Sequence, residues 1–130
     1  MKQPVLLCYN LEGDRLSKIR LAAMRLKIRI KLVAKEEYAL PVGALCGVDA
    51  EPSSEAGMGD FDEEMLVMAH FPAGMLQALL GAMRRIGVAP VALKAMLTPT
   101  NATWDSVKLH AEIASEHEAM TRGESPLHQV

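Results

Sequence analysis

The sequence predicts an α/β domain, an α+β sandwich of the ferredoxin-like type. The expected order is strand, helix, strand, short helix, strand, helix, strand and C-terminal helix, with split βαβ units. Two short runs, PVLLCYN at 4–10 and EMLVMAHF at 64–71, are apolar throughout, as strands covered on both faces are. An amphipathic segment and a second strand-like segment follow each run. The halves also resemble each other, since VLLCYNL matches MLVMAHF at a shift of 60 and AAMR matches GAMR at a shift of 59.

The first half has a clear helical pattern between two strand-like segments. Asp14 is a candidate N-cap for this helix. The apolar face of the helix repeats at three- and four-residue spacing and comprises Leu16, Ile19, Ala23 and Leu26. RIKLVA at 29–34 alternates charged and apolar residues, which indicates a half-exposed edge strand. Pro41 suits the start of a short helix over 41–46.

The second half repeats this order after a long connection. The connection at 49–62 is acidic and rich in Gly, Ser and Pro, and we expect a flexible loop there. A helix is expected between Pro72 and Gly87, and a fourth strand at 91–98. Thr103 is the candidate N-cap of the last helix. Residues 1–122 are therefore predicted to form a single α/β domain, followed by a loose C-terminal tail at 123–130.

The direction of strand 4 decides whether polar strand ends form a site. In a ferredoxin-like sheet, strands 1 and 3 are central and strand 4 runs opposite to them. The alternative is a small parallel doubly wound sheet, in which the carboxyl ends of all strands meet at the ligand-binding edge. The candidate ligand cluster at that edge comprises Asn10, His70, Thr98, Thr100 and Asn101. If strand 4 is antiparallel, the TPTN segment at 98–101 is only a corner between strand and helix.

The apolar strands also require a cover on the second face of the sheet. We expect the last helix to dock there through Trp104, Val107, Ala111 and Ala114, or a second copy of the chain to cover the face. The candidate interface for a protein partner or homodimer comprises Trp104, Val107, Leu109, Ile113 and Met120.

Several segments resemble an uncharacterised bacterial family. They are EMLVMAHF, LLGAMRRIGV, VALKAMLTPTNATW and SEHEAM, which together span residues 64–120. The sequence resembles the domain-of-unknown-function family numbered 3783, with a looser likeness at EEYALPVGALCG in the first half. The resemblance implies one cytoplasmic α/β domain and implies no activity, cofactor or catalytic residue.

Composition and motifs argue against several functional classes. The net charge is −2 and aromatic residues make up 4% of the 130 residues, so nucleic-acid binding is not expected. Basic residues do cluster between positions 15 and 31, and we interpret them as a solvated face: Arg15, Lys18, Arg25, Lys27, Arg29 and Lys31. Phosphate-loop, dinucleotide and GxSxG motifs are absent from the sequence. His110 and His117 are seven positions apart, about 10 Å along a helix, which is too far to share a metal ion.

Cysteine usage and hydropathy predict the compartment. Cys8 and Cys46 have no CxxC spacing, and the N-terminal apolar run is too short for a signal peptide. No stretch approaches the roughly 20 apolar residues of a membrane span. We therefore expect a cytoplasmic protein without a membrane segment. Either Cys8 or Cys46 could form a nucleophilic pair with His70 if the fold brings them together. No metal or cofactor is expected.

The sequence leaves enzyme activity open and favours a role without catalysis. The predicted function is a small cytoplasmic interaction or regulatory domain that self-associates. The alternative is a small-ligand-binding domain or an enzyme that uses the polar residues at the strand ends.

Overall fold

The computed structural model of the protein describes residues 3–48 and 59–121. Within these ranges the strands and helices are, in chain order, β1 (Val5–Tyr9), α1 (Gly13–Arg25), β2 (Arg29–Leu32), α2 (Val42–Leu45), β3 (Met65–Ala69), α3 (Met75–Arg85), β4 (Leu93–Met96) and α4 (Ser106–Thr121). Short 3₁₀ turns at Lys35–Glu37 and Asn101–Thr103 precede α2 and α4. The mixed α/β class predicted from the sequence is confirmed.

The strands form a mixed sheet with the order β2-β1-β3-β4. β1 is parallel to β2 and β3 is parallel to β4, whereas β1 and β3 are antiparallel. The predicted central position of β1 and β3 is confirmed. The ferredoxin-like arrangement is not the one adopted, because β1 and β2 pair directly and no strand lies between them. The fully parallel alternative is also wrong, because the two βαβ units run in opposite directions.

An approximate two-fold axis relates the two βαβ units. The axis passes between β1 and β3, where Leu7 lies opposite Val67, sixty positions away. The loops repeat at the same interval, since Asn10 and His70 both adopt positive φ, at 59° and 61°. The ends of α1 and α3 carry equivalent hydrogen bonds, from Ile28 N to the Ala23 oxygen and from Val88 N to the Met83 oxygen, both 2.9 Å. The repeat therefore keeps one register of 60, and the AAMR match at 59 is one position out of register.

Helices cover both faces of the sheet, which makes a three-layer structure. On one face, α1 and α3 pack against Leu6, Cys8, Leu66 and Met68 of the central strands. On the other face, α2, α4 and the segments before them pack against Leu7, Tyr9, Met65 and Val67. The predicted docking of the last helix onto the second face is borne out for Trp104, Val107 and Ala114, whereas Ala111 is exposed and does not belong to the contact.

The helix starts differ from those predicted. Asp14 lies inside the first turn of α1 and pairs with Lys18, and Glu12 occupies the N-cap position. Thr103 belongs to a 3₁₀ turn, and Asp105 instead accepts a 2.8 Å hydrogen bond from Lys108 N at the start of α4. Both threonine and aspartate suit an N-cap, so their local sequence did not distinguish these positions.

Part of the predicted flexible loop is anchored. Phe61 is buried, and Lys35 forms ion pairs with Asp60 and Asp62. Residues 59–62 form no helix or strand, as expected of a loop, but the buried side chain of Phe61 holds this part of the loop against the core. Residues 49–58 and the predicted loose tail at 123–130 lie outside the described residues.

Candidate functional site

The antiparallel pairing of β1 and β3 divides the candidate ligand cluster between the two ends of the sheet, where the strands begin and finish. Asn10 follows β1 and lies at the end where β3 begins, because Tyr9 is opposite Met65. His70 follows β3 at the other end, which it shares with the end of β4, since Leu97 N donates to the Met68 oxygen. The structure therefore brings four of the residues to one end of the sheet: His70, Thr98, Thr100 and Asn101. Asn10 lies at the opposite end of the strands.

Polar groups of the TPTN turn bond mainly to one another. The Asn101 side chain accepts a hydrogen bond from Thr98 N at 2.8 Å and donates one to the Met96 oxygen at 3.0 Å. Asn101 N donates to Thr98 Oγ1 at 3.0 Å, and Thr103 Oγ1 donates to the Thr100 oxygen. Asn101 is buried, whereas Thr98 and Thr100 are exposed. The turn thus acts as a well-bonded corner, and its carboxamide also covers the last polar groups of the β4 edge.

Asn10 and His70 are held differently at their separate ends of the sheet. The Asn10 amide donates to the oxygens of Phe61 and Glu63 at 3.0 Å, which ties the segment before β3 to the end of β1. His70 is half-buried, and its Nε2 has no hydrogen-bond partner among the described residues.

Most of the candidate interface belongs to the core of the chain itself. Leu109 is buried, and Trp104, Val107 and Ile113 pack partly buried against the same cluster as the central strands. Met120 is exposed. The expectation of an uncovered sheet face was the reason for proposing a homodimer, and α2 and α4 remove that reason.

An aromatic cluster that sequence reasoning missed lies at the Asn10 end of the sheet. Phe61 stacks on His110 with ring centroids 4.0 Å apart and on Tyr38 with centroids 4.7 Å apart. His110 Nε2 lies 2.9 Å from a carboxylate oxygen of Glu63. Tyr9 and Ser106 share a buried 2.7 Å hydrogen bond between their hydroxyls. Ser106 is fully buried, so a substrate does not reach its hydroxyl, and the cluster fastens the start of α4 to the sheet.

The buried thiols are poor nucleophiles. Burial raises the pKa of Cys8 to about 12, with a smaller opposing effect of Arg20, and raises that of Cys46 to about 11. A thiol with such a pKa is protonated at neutral pH, and the thiolate is the reactive form. In residues 3–48 and 59–121, no group of three or more His, Cys, Asp or Glu side chains is placed to hold a metal ion.

Several of the clustered basic residues have acidic partners. Arg15 binds both carboxylate oxygens of Glu64, at 2.7 and 2.8 Å, and this ion pair raises the pKa of the Arg15 guanidinium. Lys31 pairs with Glu37 at 3.0 Å. Together with the pairing of Lys18, these contacts reduce the positive charge that the cluster offers to a polyanion.

A groove lies between the open edge of β4 and helix α4, and we call it the β4–α4 groove. It has a volume of about 410 Å³. Its lining includes Ala95 and Met96 of the strand, with Trp104, Leu109 and Ile113 on the helix side. Glu112 and Glu116, one helical turn apart and both exposed, also line it.

A second groove occupies the equivalent place at the other edge of the sheet, and we call it the β2–α2 groove. It has a volume of about 480 Å³. Arg29, Lys31 and Glu37 line it together with apolar residues from β1 and the α2 region: Val5, Leu40, Ala44 and Leu45. Neither groove could be read from periodicity, because each depends on how the connection after an edge strand places the following helix beside that strand.

One family model matches part of the chain. Residues 64–120 match the family model described as domain of unknown function DUF3783. The matched segment coincides with β3, α3, β4 and α4, the second of the two related units. No curated protein and no solved structure matches the chain. In the described ranges, no helix is both long and apolar enough to cross a membrane.

Proposed function

We propose that the protein is a non-catalytic interaction domain. The proposal is drawn from the geometry, because the family model that residues 64–120 match is described as a domain of unknown function. In this proposal the domain binds an extended, basic segment of a partner protein by strand addition along β4, within the β4–α4 groove. The observation that carries the proposal is an unpaired strand edge that lies beside an apolar groove with an acidic rim.

The backbone of β4 offers hydrogen bonds to an added strand. Leu97 N bonds to β3, so alternate residues direct the N–H and C=O groups of Lys94 and Met96 away from the sheet. Among the described residues, β4 pairs only with β3. Asn101 covers the Met96 oxygen and Thr98 N. The remaining outward groups give an incoming strand a short ladder with a defined end.

The groove supplies side-chain contacts for the added strand. Leu93 and Ala95 face the same side of the sheet as α4, where Trp104 and Ile113 are partly buried. Strand addition next to such a surface combines main-chain hydrogen bonds with pockets for alternate side chains. The half-open apolar surface therefore favours a partner with a long aliphatic stem at alternate positions.

Charge at the rim selects a basic partner. Glu112 and Glu116 have no ion-pair partner in the described part of the chain, and both are exposed. Lysine and arginine place an aliphatic stem on an apolar surface while the cation reaches a carboxylate. An extended segment with alternating basic and apolar residues fits both features of the groove.

A second copy of the chain fits the groove less well. Symmetric pairing of two β4 strands would place both α4 helices on one face beside the shared edge. Glu112 and Glu116 of the two copies would then face each other, and like charges oppose association. The proposal therefore differs from the self-association expected from the sequence, and a dimer is one outcome of the test. The two buried free cysteines are consistent with a reducing cytoplasm as the location.

The test measures binding of a labelled peptide of alternating lysine and valine residues by fluorescence anisotropy. Met96→Pro removes an outward N–H while it leaves the bonds between β3 and β4, so we expect an affinity loss of at least about tenfold. Leu32→Pro is the matched control, because Leu32 has the equivalent outward position on β2 and similar exposure, 42% against 40% for Met96. Circular dichroism checks that both variants fold.

Two further measurements separate the alternatives. A peptide of the same composition with central prolines is expected to bind weakly, because it does not form a strand. Equal binding of the lysine–valine peptide to the Met96→Pro and Leu32→Pro variants would refute strand addition at β4. Light scattering that shows a dimer disrupted by Met96→Pro would favour a second copy as the occupant and contradict the basic-partner proposal.

A further inference from the structure

The structure assigns a second strand-addition site to the β2–α2 groove, with a preference for an acidic extended segment. This site is separate from the one proposed for β4, and it lies at the opposite edge of the sheet. The two sites together would allow the domain to hold two partner segments of opposite charge.

The edge of β2 has the same backbone geometry as the edge of β4. Arg29 N bonds to the Pro4 oxygen and Val33 N bonds to the Cys8 oxygen, so Ile30 and Leu32 direct their polar backbone groups outward. β2 pairs only with β1 within residues 3–48 and 59–121. The Glu37 carboxylate accepts a hydrogen bond from Ala34 N at 3.0 Å. It thus ends this open edge as Asn101 ends the edge of β4.

The groove side of β2 carries positive charge. Arg29 and Lys31 pair with Val5 and Leu7 of β1, so they face the side of the sheet that α2 covers. Lys31 is bound to Glu37, whereas Arg29 has no ion-pair partner among the described residues and is exposed. The lining therefore has one more positive than negative charge, the reverse of the β4–α4 groove, where Lys94 is outnumbered by two glutamates.

The same charges disfavour a second copy at this edge. In a symmetric antiparallel pairing centred on residue 31, the outward groups of Ile30 and Leu32 bond reciprocally and Lys31 lies opposite its own copy. Like charges directly opposite each other on neighbouring strands are destabilising. Arginine binds carboxylates with two parallel hydrogen bonds. An acidic strand therefore gains where a second β2 strand loses.

Apolar contacts complete the fit to an extended segment. Leu40 is 46% exposed at the groove wall, and Leu45 and Val5 are buried beneath it. In an added strand that alternates acidic and apolar residues, the acidic side chains would face the groove. Their carboxylates would reach Arg29, and their aliphatic carbon atoms would pack against Leu40. The cavity of about 480 Å³ is within the size range of ordinary ligand pockets.

The test titrates the full chain with two labelled peptides, one of alternating glutamate and valine and one of alternating lysine and valine. We expect Leu32→Pro to weaken binding of the glutamate peptide by at least about tenfold and to leave the lysine peptide unaffected. Met96→Pro is expected to give the reverse pattern. Arg29→Gln provides a milder variant that keeps the backbone, with an expected loss of up to about fivefold that shrinks at high salt.

The outcomes distinguish this inference from the proposed function. Loss of both peptides in Met96→Pro, with Leu32→Pro unchanged, would overturn the second site and keep the first. Failure of the glutamate peptide to bind, or equal binding in Arg29→Gln and Leu32→Pro at wild-type strength, would also overturn it. Loss of the glutamate peptide alone in Leu32→Pro would support the second site even if the lysine peptide does not bind.

Discussion

Raising the pH above 9 should destabilise the fold, and the Cys8 thiol should account for a defined part of the loss. Cys8 lies in β1 and is 2% exposed, between the sheet and the helices α1 and α3. Burial raises the pKa of its thiol from an ordinary value of 9.0 to about 12. The folded protein therefore keeps this proton in a pH range where the unfolded chain releases it.

The sign and size of the effect follow from proton linkage. Between pH 9 and 12 the folded state binds more protons than the unfolded state, so the free energy of unfolding falls as the pH rises. A pH of 10 is about one unit above the pKa of the thiol in the unfolded chain. The free energy of unfolding is therefore about 1.4 kcal/mol lower at pH 10 than at pH 7. The folded thiol, with a pKa of about 12, stays protonated at pH 10, so the loss is set by the ionisation of the thiol in the unfolded chain.

Urea unfolding at pH 7 and pH 10, in the presence of a reducing agent, measures the loss. Cys8→Ala lowers stability at both pH values because it leaves a cavity, but its decrease between them should be smaller than that of the wild type by about 1.4 kcal/mol. Burial also raises the pKa of Cys46 and of Tyr9, so the wild type and the variant both retain some decrease. An identical decrease in the two proteins would refute the assignment to Cys8.

Three stability predictions can be checked by urea unfolding at pH 7. Tyr9→Phe and Ser106→Ala should each cost about 1–3 kcal/mol, because each leaves a buried hydroxyl unpaired, and the double variant should cost less than their sum. Asn101→Ala removes two side-chain hydrogen bonds that hold the β4 edge and should cost about 1–2 kcal/mol; no change would argue against its role as a cover. Leu79→Ala, in a fully buried position of α3, should cost about 2–5 kcal/mol, with exposed Met24→Ala as the near-neutral control.

Local patterns predicted the elements but not the order of the strands. The apolar runs around Leu7 and Val67 identified the central strands, because only strands covered on both faces are apolar throughout. The alternating segment at 29–34 identified an edge strand, because a half-exposed strand alternates charged and apolar residues. Both the ferredoxin-like order and the observed order place strands 1 and 3 in the centre, so burial did not distinguish them. Strand direction then determined which residues of the candidate ligand cluster lie together. Because β1 and β3 are antiparallel, Asn10 is separated from the TPTN turn, whereas His70 lies at the same end of the sheet as that turn.

The two grooves depend on contacts that no local pattern encodes. Ile113 and Glu116 read as ordinary positions of an amphipathic helix, and their place beside β4 follows from the route of the chain through the TPTN turn. Phe61 is a second example, because it lies in an acidic segment that predicts a loop and yet packs between Tyr38 and His110. One aromatic residue in such a segment was the available signal.

Divergence between the two related units explains why one architecture yields two differently charged edges. Residues of β2 and β4 correspond at an interval of 64, because Val33 and Leu97 donate equivalent hydrogen bonds to β1 and β3. On the groove face, Arg29 and Lys31 of β2 therefore correspond to Leu93 and Ala95 of β4. In the β2–α2 groove the positive charge lies on the strand itself. In the β4–α4 groove the negative charge lies on helix α4. The DUF3783 match covers only the second unit, so the basic edge of the first unit is a feature that the family model does not include. A partner that recognises β4 is thus expected not to recognise β2, although the two edges share the same backbone geometry.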